Sequence, residues 1–238
     1  MKYFSTGFNL CRKFSIFVVQ SGQQMEDTYR HKGLRRLLVE ELVQKGITDE
    51  KVLEAIGKVL RHAFIRDSAL IRFAYQDQAF PIGAGQTISQ PYTVAFQTQL
   101  LQVKSFDKIL EIGTGSGYQA AVLCELGARV YTIERQRELH VKAQQLLEKM
   151  GYKMHFYYGD GYAGLPAYAP FDRILVTAGA ADIPDTLVRQ LKTGGRMVIP
   201  VGNNGQQEMI LIEKTSETET VITQHGAFAF VPFLRGKT

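Results

Sequence analysis

The sequence is poor in the residues that build disulfide scaffolds and metal sites. It has two cysteines in 238 residues, Cys11 and Cys124, with no CxxC spacing. That excludes a disulfide framework and fits the reducing cytoplasm. Five histidines, His31, His62, His140, His155 and His225, are scattered without an HxxH or HxxxH pair, so no metal site is expected. Nowhere do about 18 apolar residues run together, so no membrane-spanning helix is expected. The positive surplus is also smaller than it looks. The net charge is +5, but Lys2, Arg12 and Lys13 lie in a first 25 residues that contain no acid, which leaves +2 for residues 26–238. Nothing in that balance calls for a nucleic-acid partner.

What remains is ordinary globular material. Hydrophobic residues make up 45% and charged residues 21%, a balance that excludes disorder, collagen-like repeats and coiled coil as the main theme. A chain this long buries roughly 70–75% of its unfolded surface and needs no covalent staple. Residues 1–25 stand apart. Arg12 and Lys13 split their apolar stretch and leave Phe14–Val19, short for a secretory signal, which uses about 7–15 apolar residues. Met25, Glu26 and Asp27 then read as a second beginning. Residues 1–25 are therefore expected to be an extension or an early start site rather than an export signal.

Residues 28–64 carry the pattern of two helices. The first sets Leu34, Leu37, Leu38 and Leu42 on one face and ends near Gly46. The second is expected to be capped by Thr48, with Asp49 and Glu50 in its first turn, and to bury Val52, Leu53, Ile56, Val59, Leu60, Ala63 and Phe64. Residues 76–91 read as loop, and Pro91 opens a helix that continues through Val103. From Asp107 strands and helices alternate. The strands are Lys108–Ile112, Arg129–Ile133, Lys153–Tyr158, Asp172–Thr177 and Arg196–Val201, and the helices Gly117–Leu126, Gln136–Met150 and Pro184–Leu191. Such alternation predicts an α/β fold whose mainly parallel sheet is covered by helices on both faces. Glu208–Glu213 and Val221–Val231, joined by polar Lys214–Glu219, read as an antiparallel hairpin closing that sheet.

The strongest signal is Ile109-Leu110-Glu111-Ile112-Gly113-Thr114-Gly115-Ser116-Gly117-Tyr118, a buried strand that runs into three alternating glycines and then a helix. The glycines let the backbone approach a ligand closely, and the helix start offers it N–H groups. Position 118 is Tyr where a GxGxxG dinucleotide turn needs glycine, and no GxxxxGK[ST] loop exists. A ligand without phosphates fits better. S-adenosyl-L-methionine is one, and its sulfonium charge favours a neighbouring carboxylate such as Glu111. Two more acids stand where the next strands end. Glu134, ~20 residues past the turn, is placed to accept from ribose hydroxyls, and Asp160 to accept from an adenine amino group. On the turn alone a class I methyltransferase, a nicotinamide or flavin enzyme and a non-catalytic binding fold stay open. Tyr118 speaks against the nicotinamide reading, and the full set of acids against a bare binding module.

Further stretches carry a family resemblance. Gly85-Gln86-Thr87-Ile88-Ser89-Gln90-Pro91, the glycine turn, Val130–Arg135, Gly159-Asp160-Gly161-Tyr162, Phe171-Asp172, Leu191–Val201 and Phe230-Val231-Pro232-Phe233 together resemble the protein-L-isoaspartate O-methyltransferase family across residues 26–234. GQTxSQP is the specific part, whereas GxGxG is shared by many methyltransferases. The resemblance implies a Rossmann-like class I methyltransferase fold with an N-terminal helical addition, in one domain over 26–238. Within it, 26–106 would be the helical and substrate-loop part and 107–238 the cofactor-binding core.

The implied activity is transfer of a methyl group from S-adenosyl-L-methionine to the α-carboxylate of L-isoaspartyl residues in age-damaged proteins and peptides. The ester then collapses to a succinimide that hydrolyses partly to aspartate. Ser89 would be the active-site serine, orienting rather than attacking. Gln86, Thr87 and Ile88 would border the substrate, with main-chain groups near Val231 and Pro232 clamping the peptide. Glu111, Gly113, Thr114, Gly115, Gly117, Glu134, Asp160 and Gly161 would surround the cofactor. The acceptor is ionised at neutral pH, so the lack of a Ser-His-Asp or Cys-His set is no obstacle. Local sequence leaves a second use for Ser89 open, as a cap for the helix at Pro91. A methyltransferase acting on RNA or a small molecule is the alternative. A cytoplasmic monomer with no nucleic-acid or membrane partner is expected.

Overall fold

The computed structural model describes residues 26–203 and 205–238, so the expectations for residues 1–25 lie outside it. α1 (Tyr29–Gln44) is capped by Thr28, whose side chain accepts from the His31 N–H. It turns Leu38 and Leu42 inward, but Leu37 is 59% exposed, so the buried stripe is narrower than four leucines predict. α2 (Glu50–Lys58) differs from expectation at both ends. Its cap is Asp49 rather than Thr48, accepting from the Lys51 and Val52 N–H groups at 3.0 and 3.2 Å. The cause is tertiary, since Gln99 Oε1 accepts from the N–H groups of Thr48 and Asp49 at 2.7 and 2.9 Å and fixes the entry to the helix. At the other end Val59 is extended, and Arg61–Phe64 form a separate 3-10 turn with all four residues buried.

After the single turn α3 (Ser68–Ile71) the expected loop proves to be a hairpin, β1 (Phe80–Gly83) and β2 (Gln86–Ile88), with Phe80 opposite Ile88. Phe80 and Ile82 alternate inward, while Gly83, Ala84 and Gly85 turn the chain with φ of +95°, +52° and +67°. α4 (Pro91–Leu101) ends at Leu101 rather than Val103, where Gln102 takes a left-handed conformation.

The remainder follows the alternating pattern. In order come β3 (Lys108–Ile112), α5 (Tyr118–Glu125), β4 (Arg129–Glu134), α6 (Arg137–Lys149), β5 (His155–Tyr158), β6 (Phe171–Val176), α7 (Asp185–Gln190), β7 (Leu191–Val201), β8 (Gln207–Lys214) and β9 (Thr220–Phe228). They form one sheet in the order β5-β4-β3-β6-β7-β8-β9, with β3 to β7 parallel and β8 and β9 antiparallel. This is the expected Rossmann-like architecture. β7 starts earlier than expected because Leu191 already pairs with Phe171 ahead of a bulge. β9 stops at Phe228, and residues 231–233 leave the sheet to bridge Gly179.

Successive strand residues feed opposite faces. Ile109 joins a core with Ile56, Tyr118 and Val198 on one side, and Leu110 a core with Phe171, Ile174 and Ile199 on the other. That double burial is why these strands read as largely apolar runs rather than as alternation. The strand order reverses between β3 and β6, and in open α/β sheets ligands bind beyond the carboxyl ends of strands at such a point. No described helix is long and apolar enough to cross a membrane.

Candidate functional site

The glycine turn leaves β3 at that switch point. Gly113, Gly115 and Gly117 have φ of +98°, +54° and +89°, which L side chains rarely adopt. A Cβ on Gly113 would lie 2.5 Å from Thr177 Oγ1, and one on Gly117 2.6 Å from Leu147 Cδ1. The first glycine therefore lets the turn lie against the end of β6, and the third lets α6 pack close to the start of α5.

Beside the turn opens a cleft. Gly113, Thr114, Gly115, Glu134 and Gly161 line it from the sheet side, and Gln86, Thr87, Ile88, Ser89, Val231 and Pro232 from the other. Glu134 ends β4. Its Oε2 accepts from the Gly115 N–H at 2.9 Å and its Oε1 from the Gln136 N–H at 2.8 Å. These bonds fix the carboxylate at the wall and leave lone pairs for a ligand. The one other charged residue among the described lining residues is Arg135, whose guanidinium donates to the carbonyls of Gly236 and Arg235 at 3.2 and 3.4 Å. A wall of backbone amides and a carboxylate, with its arginine already engaged, suits a nucleoside bearing a positive group better than one bearing phosphates. S-adenosyl-L-methionine meets that description.

Three expected cofactor residues, Glu111, Gly117 and Asp160, are not among the residues that line the cleft. Glu111 is fully buried. Its Oε2 accepts from the Thr132 hydroxyl, which meets Thr114 Oγ1 at 2.6 Å, and its Oε1 has no partner among the described residues. Burial pushes its carboxyl from 4.5 up to about 8. Burial disfavours its charged form, and Glu134 is the carboxylate that faces the cleft. Asp160 accepts from the N–H groups of Tyr162 and Gly236 at 2.9 and 2.8 Å, and so holds the Gly161 turn to residues 235–238.

A second cavity adjoins the first between the start of α4 and residues 227–231. Thr87, Ser89, Thr177 and Val231 line both. Ser89 does not cap α4. Gln90 holds the cap position without a side-chain bond, and the Tyr92 N–H donates to Asp77 Oδ1 at 2.7 Å. No described residue hydrogen-bonds to the Ser89 hydroxyl. The 231–233 segment is itself held down, since Val231 O accepts from the Gly179 N–H and the Phe233 N–H donates to Gly179 O, both at 2.8 Å.

Sequence reasoning missed Thr177 and Gln136. The Thr177 hydroxyl lies 2.9 and 2.8 Å from the carbonyls of Ile112 and Gly113 and links the two switch-point strands. Its position directly after a strand was the available signal. Gln136 joins two covers of the cleft. Its Nε2 donates to Ala84 O at the hairpin tip at 3.1 Å, and its Oε1 accepts from the Thr238 hydroxyl at 3.3 Å. Two of the scattered histidines do meet, His31 and His62 stacking at 3.9 Å. Among the described residues no group of three or more His, Cys, Asp or Glu is arranged to hold a metal ion.

Known proteins agree with this geometry. The family model described as protein-L-isoaspartate(D-aspartate) O-methyltransferase matches residues 34–238. A Christiangramia forsetii protein named protein-L-isoaspartate O-methyltransferase is 58% identical over 214 residues, 90% of this chain and 100% of its own length. A Flavobacterium psychrophilum protein of the same name is 59% identical over the same shares. A solved structure of that name superposes with a TM-score of 0.75 at 28% identity over 83% of this chain, which spans 65% of that longer chain. A Plasmodium falciparum chain solved with S-adenosyl-L-homocysteine gives a TM-score of 0.73 over 86% of this chain and 98% of its own, at 22% identity, a likeness of fold. On the family match over residues 34–238 and these identities, the chain belongs to the protein-L-isoaspartate O-methyltransferase family.

Proposed function

We propose that the protein transfers a methyl group from S-adenosyl-L-methionine to the α-carboxylate of L-isoaspartyl residues in age-damaged proteins and peptides, beginning their repair. The observation that carries this reading is the shared wall. Thr87, Ser89, Thr177 and Val231 border both cavities, so a donor in one and a carboxylate in the other meet beside side-chain hydroxyls.

When bound, the cofactor supplies a methyl group on a positively charged sulfur. The chain supplies placement. Glu134 and the glycine turn hold the nucleoside end, and Gln86 and Ile88 close the wall above it. The acceptor carboxylate has a solution pKa near ~4, so it is ionised at neutral pH and needs no base. No described histidine, lysine or arginine lines the acceptor cavity. A cation there would hold the carboxylate but dull its nucleophilicity. The hydroxyls of Ser89 and Thr87 orient it and leave its charge in place, and alignment of this kind is worth several kcal/mol. Residues 231 and 232 border the peptide on the far side. Once formed, the ester is attacked by the next backbone amide nitrogen, which expels methanol and gives a succinimide that opens in part to aspartate. We infer a monomer working in the cytoplasm, and the scarcity of cysteine fits that compartment.

The test is methyl transfer from labelled S-adenosyl-L-methionine to matched peptides containing L-isoaspartate or L-aspartate. Base-labile label on the isoaspartyl peptide alone is expected. Ser89→Ala should keep its affinity for S-adenosylhomocysteine and lose most of its turnover. Equal labelling of both peptides would overturn the substrate assignment, and unchanged kinetics in Ser89→Ala would overturn the role of the serine.

A further inference from the structure

The loop that carries Ser89 has few anchors of its own. The hairpin ends at Ile88, the Ser89 hydroxyl has no described partner, and α4 begins at Pro91 with no acidic residue in its first turn. A helix start leaves N–H groups that need acceptors. Here the acceptor comes from elsewhere in the chain. Asp77, only 2% exposed in its side chain, reaches this start with both carboxylate oxygens. Oδ1 accepts from the Tyr92 N–H at 2.7 Å, and Oδ2 from Gln90 Nε2 at 2.8 Å and from Lys45 Nζ at 2.6 Å. Asp77 thus grips the residues on both sides of Pro91, immediately after Ser89.

Asp77 is in turn fixed from beneath. Arg61, fully buried, donates from Nε to Ala74 O and from Nη2 to Gln78 O, both at 2.9 Å, bracketing Asp77 in the chain. The Arg61 guanidinium lies 4.8 Å from the ring centroid of Tyr118, which lines the cofactor cleft. Lys45, paired with Glu41 at 2.6 Å as well, neutralises the carboxylate from the α1 side. A buried charge with three donors at a helix start is favourable for the helix. Its placement does more than stabilise, because it sets where the preceding residue stands.

We propose that Asp77 is a positioning residue for methyl transfer, holding Ser89 at the junction of the two cavities. The proposal rests on the reading of Ser89 given above. It separates from a merely structural role because the sheet side of the cofactor cleft, the glycine turn and Glu134, is built from elements that Asp77 does not touch, although the Ser89 loop borders that cleft from the other side.

The experiment compares Asp77→Ala, Asp77→Asn, Ser89→Ala and the double variant Asp77→Ala/Ser89→Ala in two assays. One is steady-state turnover of an isoaspartyl peptide, and the other is calorimetric binding of S-adenosylhomocysteine. Asp77→Ala should lower kcat by about 10- to 100-fold, the scale of a misplaced reacting group, while the peptide KM and the S-adenosylhomocysteine Kd move by less than about threefold. Asp77→Asn, which keeps an oxygen for the Tyr92 N–H, should recover part of the turnover and serves if the alanine variant fails to fold. If Asp77 acts through Ser89, the double variant is no slower than the worse single variant. Wild-type kcat in Asp77→Ala, losses that multiply in the double variant, or a fall in cofactor affinity matching the fall in kcat would each overturn the proposal. Slow Ser89→Ala with normal Asp77→Ala rejects Asp77 alone. Slow Asp77→Ala with normal Ser89→Ala rejects the reading of Ser89, and with it action through that residue.

Discussion

Glu111 gives the sharpest test of how burial shapes this site. The side chain is 0% exposed, accepts from the Thr132 hydroxyl through one oxygen, and leaves the other without a described partner. Burial raises its carboxyl from 4.5 to about 8, with the nearby charge of Glu134 adding to the effect and the Thr132 hydrogen bond opposing it. A carboxyl whose folded pKa exceeds its unfolded value binds its proton more tightly when folded. Its contribution to stability is therefore full below pH 4.5 and is lost as pH rises through about 8. Each pH unit inside that window is worth up to about 1.4 kcal/mol, so the whole window is worth on the order of 3–5 kcal/mol. That is a large share of a typical domain stability of about 5–15 kcal/mol. Glu111→Gln keeps the shape and an oxygen for Thr132 but cannot ionise. Urea unfolding from pH 5 to pH 8 should show wild-type stability falling with pH relative to the variant, with the two curves converging or crossing near neutrality. All other titrating groups are common to both proteins, so the difference isolates Glu111. Parallel curves across the window would show that Glu111 ionises in the folded protein as readily as in water, and the assignment of charge to Glu134 rather than Glu111 would fall with them.

Other perturbations probe the wall, the covers and the scaffold. A Cβ at Gly161 would stand 2.4 Å from Ile112 Cγ2 and 2.8 Å from Phe233 Cε2. Gly161→Ala should therefore cost about 1–3 kcal/mol in unfolding experiments and weaken S-adenosylhomocysteine binding. Gln136→Ala removes the link between Ala84 and Thr238 across the cleft. It should speed S-adenosylhomocysteine release several-fold in displacement kinetics, in line with about 1 kcal/mol per lost hydrogen bond. Gly33 sits inside α1 with nothing within 4 Å of its would-be Cβ. Gly33→Ala should raise stability by about 0.5–1 kcal/mol in thermal or urea melts and leave turnover unchanged.

The readable parts of this protein are those where local pattern and global fold coincide. The strands β3, β4 and β6 are buried on both faces and so read as largely apolar runs, and each glycine of the turn takes a positive φ that favours glycine. The hairpin at 80–88 was hidden because Pro81 and two glycines mask the alternation of Phe80 and Ile82. The end of α2 was hidden because Val59, Leu60, Ala63 and Phe64 keep a helical period although Val59 turns extended to bury Arg61 and His62. Thr48 and Asp49 are both good caps by type. The choice between them is made by Gln99, an amide 50 residues away, and no window of sequence contains that information.

The carboxylates near the site show the same limit in chemical terms. In sequence Glu111, Glu134 and Asp160 are three acids at three strand ends, alike in type and place. Burial and neighbours give them different work. Glu111, fully buried with one hydroxyl partner among the described residues, has its carboxyl pushed upward by burial. Glu134, held by two N–H groups, presents charge at the cleft wall. Asp160 accepts one backbone N–H on each oxygen and ties Gly236 to the Gly161 turn. The acid that bears on Ser89 is a fourth, Asp77, in a stretch with no strand before it and no motif around it. The two uses of Ser89 left open by the sequence, helix cap or acceptor ligand, are separated by this residue alone. Because Asp77 takes the Tyr92 N–H, the serine is not needed at the helix start, and its hydroxyl stands available where the two cavities meet.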